Sequence, residues 1–476
     1  MNVKIREYTK FYKKVLAIAL PIALQNGVSN FVSLLDNIMI GQVGTEQMTG
    51  VAIVNQLMFI FYLCIFGAIS GAGIFTAQFY GQGNNEGVRD TFRLKIIIST
   101  ILLVLASTIF WVFREPLISL YLHEGSEVGD LAATLEYGKK YLFVTLIGLL
   151  PYTLECCYSG TLRETGKTVV PMVAATIAVF VNLILNYIFI YGKFGAPELG
   201  VEGAALATVI SRVLQAAIVI VWTHTHAGSG ESVMLDSSKT QFIKGAYRSF
   251  RVMKGLTKKV IILGLPLLIN ETLWAAGIAA QIQAYSVRGL AVVTALNINS
   301  TIANVFNIAF IAMGDAVAII VGQTLGAGKL EEAKQSAYRI IAFSTFISAI
   351  CGLAMFFTAP LFPEFYNTEQ EVKELAKSFM RINGLVMILH GYLHATYFTI
   401  RSGGKTIITF LFDSCYLWVI AVPLAYILSN YTDLNIIIVF LCCNLLDLIK
   451  AVIGFIMVKS GMWVNNIVED KALAND

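Results

Sequence analysis

Residues 76–94 read TAQFYGQGNNEGVRDTFRL, and residues 321–339 read VGQTLGAGKLEEAKQSAYR. Gln78, Gly81 and Gly83 of the first stretch recur as Gln323, Gly326 and Gly328 of the second, at a constant offset of 245. The same offset carries Pro21 of ALPIALQN onto Pro266 of GLPLLINE. A third pair, LRETGKT at 162–168 and IRSGGKT at 400–406, stands at offset 238, so one intervening loop is shorter in the second half. Three anchors in one order mark a duplication. The chain around both copies is almost wholly apolar, and duplicated halves in such a chain are the arrangement that membrane transporters favour, because two lobes can rock about a site between them.

Composition supports the membrane setting. Hydrophobic residues make up 57% of the 476-residue chain, charged residues 13%, and the mean hydropathy is +0.72. A soluble protein of this length needs roughly twice that charged fraction to cover its surface. Apolar runs long enough to cross about 30 Å of hydrocarbon recur near 15–40, 48–78, 92–113, 132–158, 169–191, 203–224, 258–284, 292–322, 336–361, 374–399, 406–428 and 434–458. None alternates polar and apolar as outer-membrane barrel strands do. The expected fold is therefore all-α and integral to the membrane. It has about twelve spans in two six-helix lobes, related by a pseudo-twofold axis along the membrane normal because six is even and both halves start on the same side. The boundaries are 1–224 for the first lobe, 225–257 for a polar linker and 258–476 for the second.

Sorted by loop, 24 of the 34 Lys and Arg residues, Arg93, Lys95 and Arg401 among them, fall on the side that holds both ends, and 8 on the other. The positive-inside rule then places both termini in the cytoplasm and the protein in the inner (plasma) membrane. The basic loops are not read as a nucleic-acid surface, and no cleaved signal peptide is visible. The linker tail, 242–254, has the pattern of a basic amphipathic helix at the cytoplasmic face, with a solvated connector as the plainer alternative. The seven cysteines fall inside spans and are read as small apolar residues, neither disulfides nor metal ligands.

At this point the residues resemble a family. LPIALQNGVSNFVSLLDNIMIGQVG, the Gln78–Gly81–Gly83 pattern, LRETGKT followed by Pro171, and NLILNYIFIYGKFGAPELGVEGAALAT are together similar to multidrug and toxic compound extrusion (MATE) transporters, over essentially the whole chain. The resemblance implies two six-helix bundles and export of cationic amphiphilic compounds driven by H⁺ or Na⁺, with no other cofactor. It also implies small-molecule and bilayer partners, and a monomer is the expected unit.

Intramembrane polar residues mark sites independently, since a charge in hydrocarbon persists only when it faces protein or water. Asp36, near the end of the first span, has no cation within helical reach and could load a proton or hold Na⁺. The family has an acidic residue at this place. Glu271 lies near the middle of the seventh span and resembles the family's second-lobe cation ligand. Asn182 and Asn186 share a face of the fifth span, and Thr208 of the sixth could approach them. In some relatives the place of Asn186 is an aspartate. His390 falls about where relatives carry an aspartate, so it is expected to pair with Glu271, which would favour H⁺. His390 with His394 and a carboxylate is weak as a metal set, so no metal beyond Na⁺ is expected.

Gln281, Gln283, Asn297 and Asn299 are expected to line the substrate cleft, with Asn304 and Asn307 beside them. Tyr62, Trp274 and Tyr397 are candidates to stack on a cationic substrate. Pro21 and Pro266 sit at span starts or bend their helices. Asp447 and Lys450, at i and i+3, are expected to pair on their own helix. Asp413 reads as a residue near a membrane face, and Arg212 has no partner that the sequence names. The alternatives are a lipid-linked oligosaccharide flippase, a major-facilitator transporter, a channel and a membrane enzyme. The last finds no G-x-S-x-G, H-E-x-x-H or P-loop in the chain.

Overall fold

The computed structural model describes residues 2–122, 130–228, 240–366 and 368–469, and among them there is no strand. Ten helices are long and apolar enough to cross a membrane: Arg6–Val32 within Asn2–Gly41, Glu46–Gln82, Asn85–Val112, Val169–Tyr191, Gly200–Thr225, Leu256–Ser286, Leu290–Gly326, Leu330–Thr358, Thr406–Tyr431 and Ile436–Ser460. A broken pair, Leu131–Ile147 and Leu149–Glu164, bent by 43° at Gly148, makes the fourth span. The tenth, Gln370–Ser402, carries Lys373, Glu374, Lys377 and Arg381 in its first turns. This is an all-α integral membrane protein with twelve spans.

The outer faces suit hydrocarbon. Ile101, Phe180, Phe346 and Val452 are among many large exposed apolar side chains, a surface that lipid accepts and water would not. Buried threonines return their hydroxyls to carbonyls one turn back, as Thr145 does to Tyr141 at 2.8 Å and Thr399 to Ala395 at 2.8 Å, so they cost the spans little. Span starts are capped locally. Asn84 accepts from Gly87 N at 2.9 Å, and Asn435 from Ile437 N at 2.9 Å.

Two compact units emerge. One contains Leu24–Thr76 and Asn84–Thr257, and the other Met1–Ala23, Ala77–Gly83 and Lys258–Asp476. They differ from the sequence halves in that 1–23 and 77–83 belong with the second unit. Pro21 and Pro266 lie in helix interiors, not at helix starts, because the first helix already begins at Asn2 and the seventh at Leu256.

The repeated glycines divide into two physical roles, both seen within the second unit. A Cβ added at Gly81 would stand 1.8 Å from the Gln323 carbonyl oxygen, and one at Gly326 would stand 1.9 Å from that of Gln78. The two copies of the motif thus cross backbone to backbone, each glycine against the other copy's glutamine, as small residues allow between membrane helices. Gly83 and Gly328 meet nothing within 4 Å but have φ of +78° and +72°. There the helix ends in a left-handed turn that other residues resist.

Gln78 is fully buried and clasps the C-terminal segment. Its Nε2 donates to the carbonyls of Ser402 at 2.9 Å and Asn465 at 3.2 Å, while its Oε1 accepts from Ile467 N at 2.9 Å. Trp463, also fully buried, lies against Gly403, whose added Cβ would be 1.6 Å from the Trp463 carbonyl oxygen.

In the first unit the described part of the linker is not an amphipathic helix, and as a connector it is solvated only in part. It forms a 3₁₀ turn at Gln241–Ile243 and then irregular turns, with Phe242, Ile243 and Ala246 buried. Arg93 holds it, donating to the carbonyls of Ala246 at 2.8 Å, Gly245 at 2.9 Å and Arg251 at 3.2 Å, while Asp90 accepts from Met253 N at 3.0 Å. A guanidinium with five donors saturates several loop carbonyls at once, which explains why helix was not chosen. Residues 229–239 lie outside the described residues.

Candidate cation sites in the two units

In the first unit the residues singled out from sequence come together. The fifth and sixth spans approach closely at Gly203, where a Cβ would stand 2.6 Å from the Phe189 carbonyl oxygen. This contact sets the register that brings Thr208 to Asn182. Asn182 Nδ2 donates to Thr208 Oγ1 at 3.3 Å, and Asn186 Nδ2 lies 3.2 Å from Asn182 Oδ1 and 2.5 Å from Asp36 Oδ1. Turning the Asn182 amide over, a choice set by the network, gives up those two Asn182 bonds and puts its nitrogen 3.0 Å and 3.1 Å from the two Asp36 oxygens, so that both amides then donate to the carboxylate. Asp36 is half-buried and makes no ion pair among the described residues. Asn186 Oδ1 is buried and accepts no hydrogen bond among the described residues.

Arg212, one turn beyond Thr208, finds its partner in aromatic rings. It donates to the Tyr62 hydroxyl, and its guanidinium lies 5.1 Å from the Tyr62 ring centroid and 5.0 Å from that of Tyr152. Tyr62 therefore stacks on a resident cation. A deeper ion pair escaped the sequence reading altogether. Lys95, counted there among loop cations, is fully buried and bonded to Glu164 and, at 3.2 Å, to Thr161. Gly73 makes the room, since a Cβ there would fall 2.2 Å from Glu164 Oε1.

In the second unit the expected pairings are exchanged. His390 does not pair with Glu271: its Nε2 lies 3.2 Å from Asp447 Oδ2, on the twelfth span. Lys450 does not pair with Asp447 on its own helix but reaches Asp413 Oδ1 at 2.7 Å. Each basic side chain turns to a carboxylate on a facing helix, as intramembrane charges paired across an interface do. Asp413 lies in a run of π-helical turns, Leu411–Cys415 and Leu417–Ala421, a wide-turn geometry often found at functional positions. Bonded to Lys450 and Asn270, its side chain faces the neighbouring helices.

Asn270, almost fully buried, ties this group to Glu271, its neighbour in sequence. It donates to Asp413 Oδ2 at 3.2 Å and to the Tyr397 hydroxyl at 3.3 Å, and its Oδ1 accepts from Ser414 Oγ at 2.7 Å. Arg401 and Asp413 are the charges within electrostatic reach of Glu271. Arg401 was assigned to a loop from sequence, yet it is buried, 5.0 Å from the Phe398 ring centroid, with Nη1 unpartnered. His394 packs as a core histidine against Gly314 and Phe398. Among the described residues no group of three or more His, Cys, Asp or Glu is arranged to hold a metal ion.

The proposed substrate contacts are dispersed. Gln283, Asn297 and Trp274 are exposed, Gln281 is half-buried, Tyr397 is buried under Asn270, and Asn299 is buried and accepts from Asn383 Nδ2 at 3.1 Å.

The MatE family model matches residues 21–188 and 267–427, which together hold the Asp36, Asn186, Glu271 and Asp413 groups. The probable multidrug resistance protein NorM of Thermotoga maritima is 24% identical, covering 96% of this chain and 94% of that protein. The probable multidrug resistance protein NorM of Oceanobacillus iheyensis is 26% identical over 89% and 91%. Among solved structures, a crystal structure of MATE in complex with MaL6 shares the fold with a TM-score of 0.82 at 20% identity, covering 94% of this chain and 95% of that one. With one matched block in each duplicated half and relatives aligned nearly end to end, the chain belongs to the MATE family, as a transporter and not an enzyme.

Proposed function

We propose that this transporter is a cation-coupled antiporter that exports cationic amphiphilic compounds by alternating access, with H⁺ or Na⁺ as the coupling ion. The observation that carries this reading is Asp36, a carboxylate inside a membrane-length helix contacted among the described residues by neutral donors and no cation, with the Asn186 carbonyl oxygen unpartnered beside it. A charge so placed is costly unless a cation joins it, so cation binding and release change the energy of the surrounding helices. Glu271 supplies the corresponding group in the second unit, under the influence of Arg401 and Asp413. One charge crossing 100 mV supplies about 2.3 kcal/mol, enough to move a cationic substrate against a modest gradient. The names of the relatives, probable multidrug resistance proteins, support the substrate class. Both termini face the cytoplasm of a bacterial cell membrane in this reading, and the monomer is the working unit.

The test is ethidium efflux from proteoliposomes under separately imposed pH and Na⁺ gradients. Efflux driven by one gradient, and lost in Asp36→Asn or Glu271→Gln, is the expected result. Wild-type efflux retained in both variants sinks the coupling roles, and no efflux under either gradient sinks the function.

A further inference from the structure

Six titratable groups of the second unit are linked, by ion pair or by electrostatic reach, across four spans. Glu271 comes from the seventh, His390 and Arg401 from the tenth, Asp413 from the eleventh, and Asp447 and Lys450 from the twelfth. His394 and Tyr397 face the same charges. Three carboxylates thus meet two permanent cations, Arg401 and Lys450. Leaving His390 aside, the cluster is one positive charge short of balance. The two cations are not equivalent. Arg401 is within electrostatic reach of Glu271 but in no ion pair among the described residues, whereas Lys450 closes on Asp413 at 2.7 Å, with its ammonium 5.2 Å from the centroid of the Phe412 ring.

We propose that Lys450 is a resident counter-cation that occupies Asp413 throughout the cycle and so limits the second unit to one coupling cation, taken up at Glu271. The proposal rests on the ion-coupled reading above. An ammonium tethered on a neighbouring helix reaches Asp413 without shedding a hydration shell at each turnover, as Na⁺ must, and without waiting for a proton. Asp413 is bonded to Asn270 on the seventh span and lies within electrostatic reach of Glu271 on the same span. Were Asp413 free, it would be a second uptake position beside the first. Lys450 is in this sense a positioning residue that sets stoichiometry and touches no substrate.

The experiment measures the equilibrium ethidium accumulation ratio in proteoliposomes against the imposed gradient of the driving ion, with the membrane potential clamped at zero. Each coupled cation multiplies the ratio by about ten for every tenfold ion gradient, as the equality of free energies requires. Lys450→Met is expected to raise accumulation by a further factor of about ten per tenfold gradient, because Asp413 then takes up an ion. Asp413→Asn with Lys450→Met, and Lys450→Arg, are expected to keep the wild-type slope. A Lys450→Met slope equal to that of wild type overturns the proposal, as a merely structural ion pair would leave stoichiometry alone. Should Lys450→Met fail to fold, the double variant decides: a slope lower by one cation would mean that Asp413 itself takes up a coupling ion, which also overturns it. Wild-type accumulation indifferent to both ion gradients would bring down the coupling reading itself, an outcome distinct from a failure in the variants alone.

Discussion

Gln78→Leu should release the C-terminal segment while leaving the helices in place. The side chain makes three hydrogen bonds to backbone, two as donor to Ser402 and Asn465 and one as acceptor from Ile467 N–H. Leucine fills a similar volume and replaces none of them. Two of the three, to Asn465 and Ile467, hold residues 461–469, so at a net value of about 1 kcal/mol per bond the opening free energy of that segment falls by about 2 kcal/mol. With a factor of ten for every 1.4 kcal/mol, amide exchange in that segment should quicken about 30-fold where opening is fast and reversible. Hydrogen–deuterium exchange mass spectrometry in detergent or nanodiscs reads this directly. The interior of the twelfth span, Ile436–Ser460, serves as the internal control. Less than a threefold rise in 461–469 would refute the clasp. A uniform rise that includes the twelfth span would show a global loss of stability instead.

Other consequences are as specific. Arg93→Met removes the donor that holds the carbonyls of Gly245, Ala246 and Arg251, so trypsin should cut the linker at Arg248 or Arg251 at least tenfold faster than in wild type, as seen by gel time course. Gly326→Ala places a methyl 1.9 Å from the Gln78 carbonyl oxygen and should cost more than the 1–3 kcal/mol typical of overpacking, abolishing monodisperse protein in size-exclusion chromatography. Gly83→Ala meets open space at φ +78° and should cost only about 1 kcal/mol, leaving a monodisperse peak. Asp36→Asn keeps an acceptor for the Asn186 amide, so melting in detergent should change little while gradient-driven ethidium efflux falls at least tenfold.

The membrane class, the twelve spans and the duplication were legible because each rests on local or periodic properties of the chain. An apolar run of 20 residues has few other options than to cross a bilayer, and the repeated Gln78–Gly81–Gly83 pattern is visible without knowing what it touches. The Asp36, Asn182, Asn186 and Thr208 group was legible for a related reason. Its members lie on faces fixed by helical spacing, and intramembrane polar side chains have to find one another. What the sequence could not contain was which helix faces which. His390 turned to Asp447 and Lys450 to Asp413, although Glu271 and the i, i+3 neighbour were the natural sequence choices. Lys95 and Arg93 looked like loop cations but are buried, because ion pairing with Glu164 and the carbonyls of a folded-back linker compensate their desolvation. The glycines show the division most plainly. Sequence marked all four positions by repetition, but only the tertiary crossing separates Gly81 and Gly326, which are small because a carbonyl presses on them, from Gly83 and Gly328, which are glycine because the backbone turns left-handed. Backbone periodicity is written along the chain, whereas partner choice is decided by distances between segments that only packing brings together.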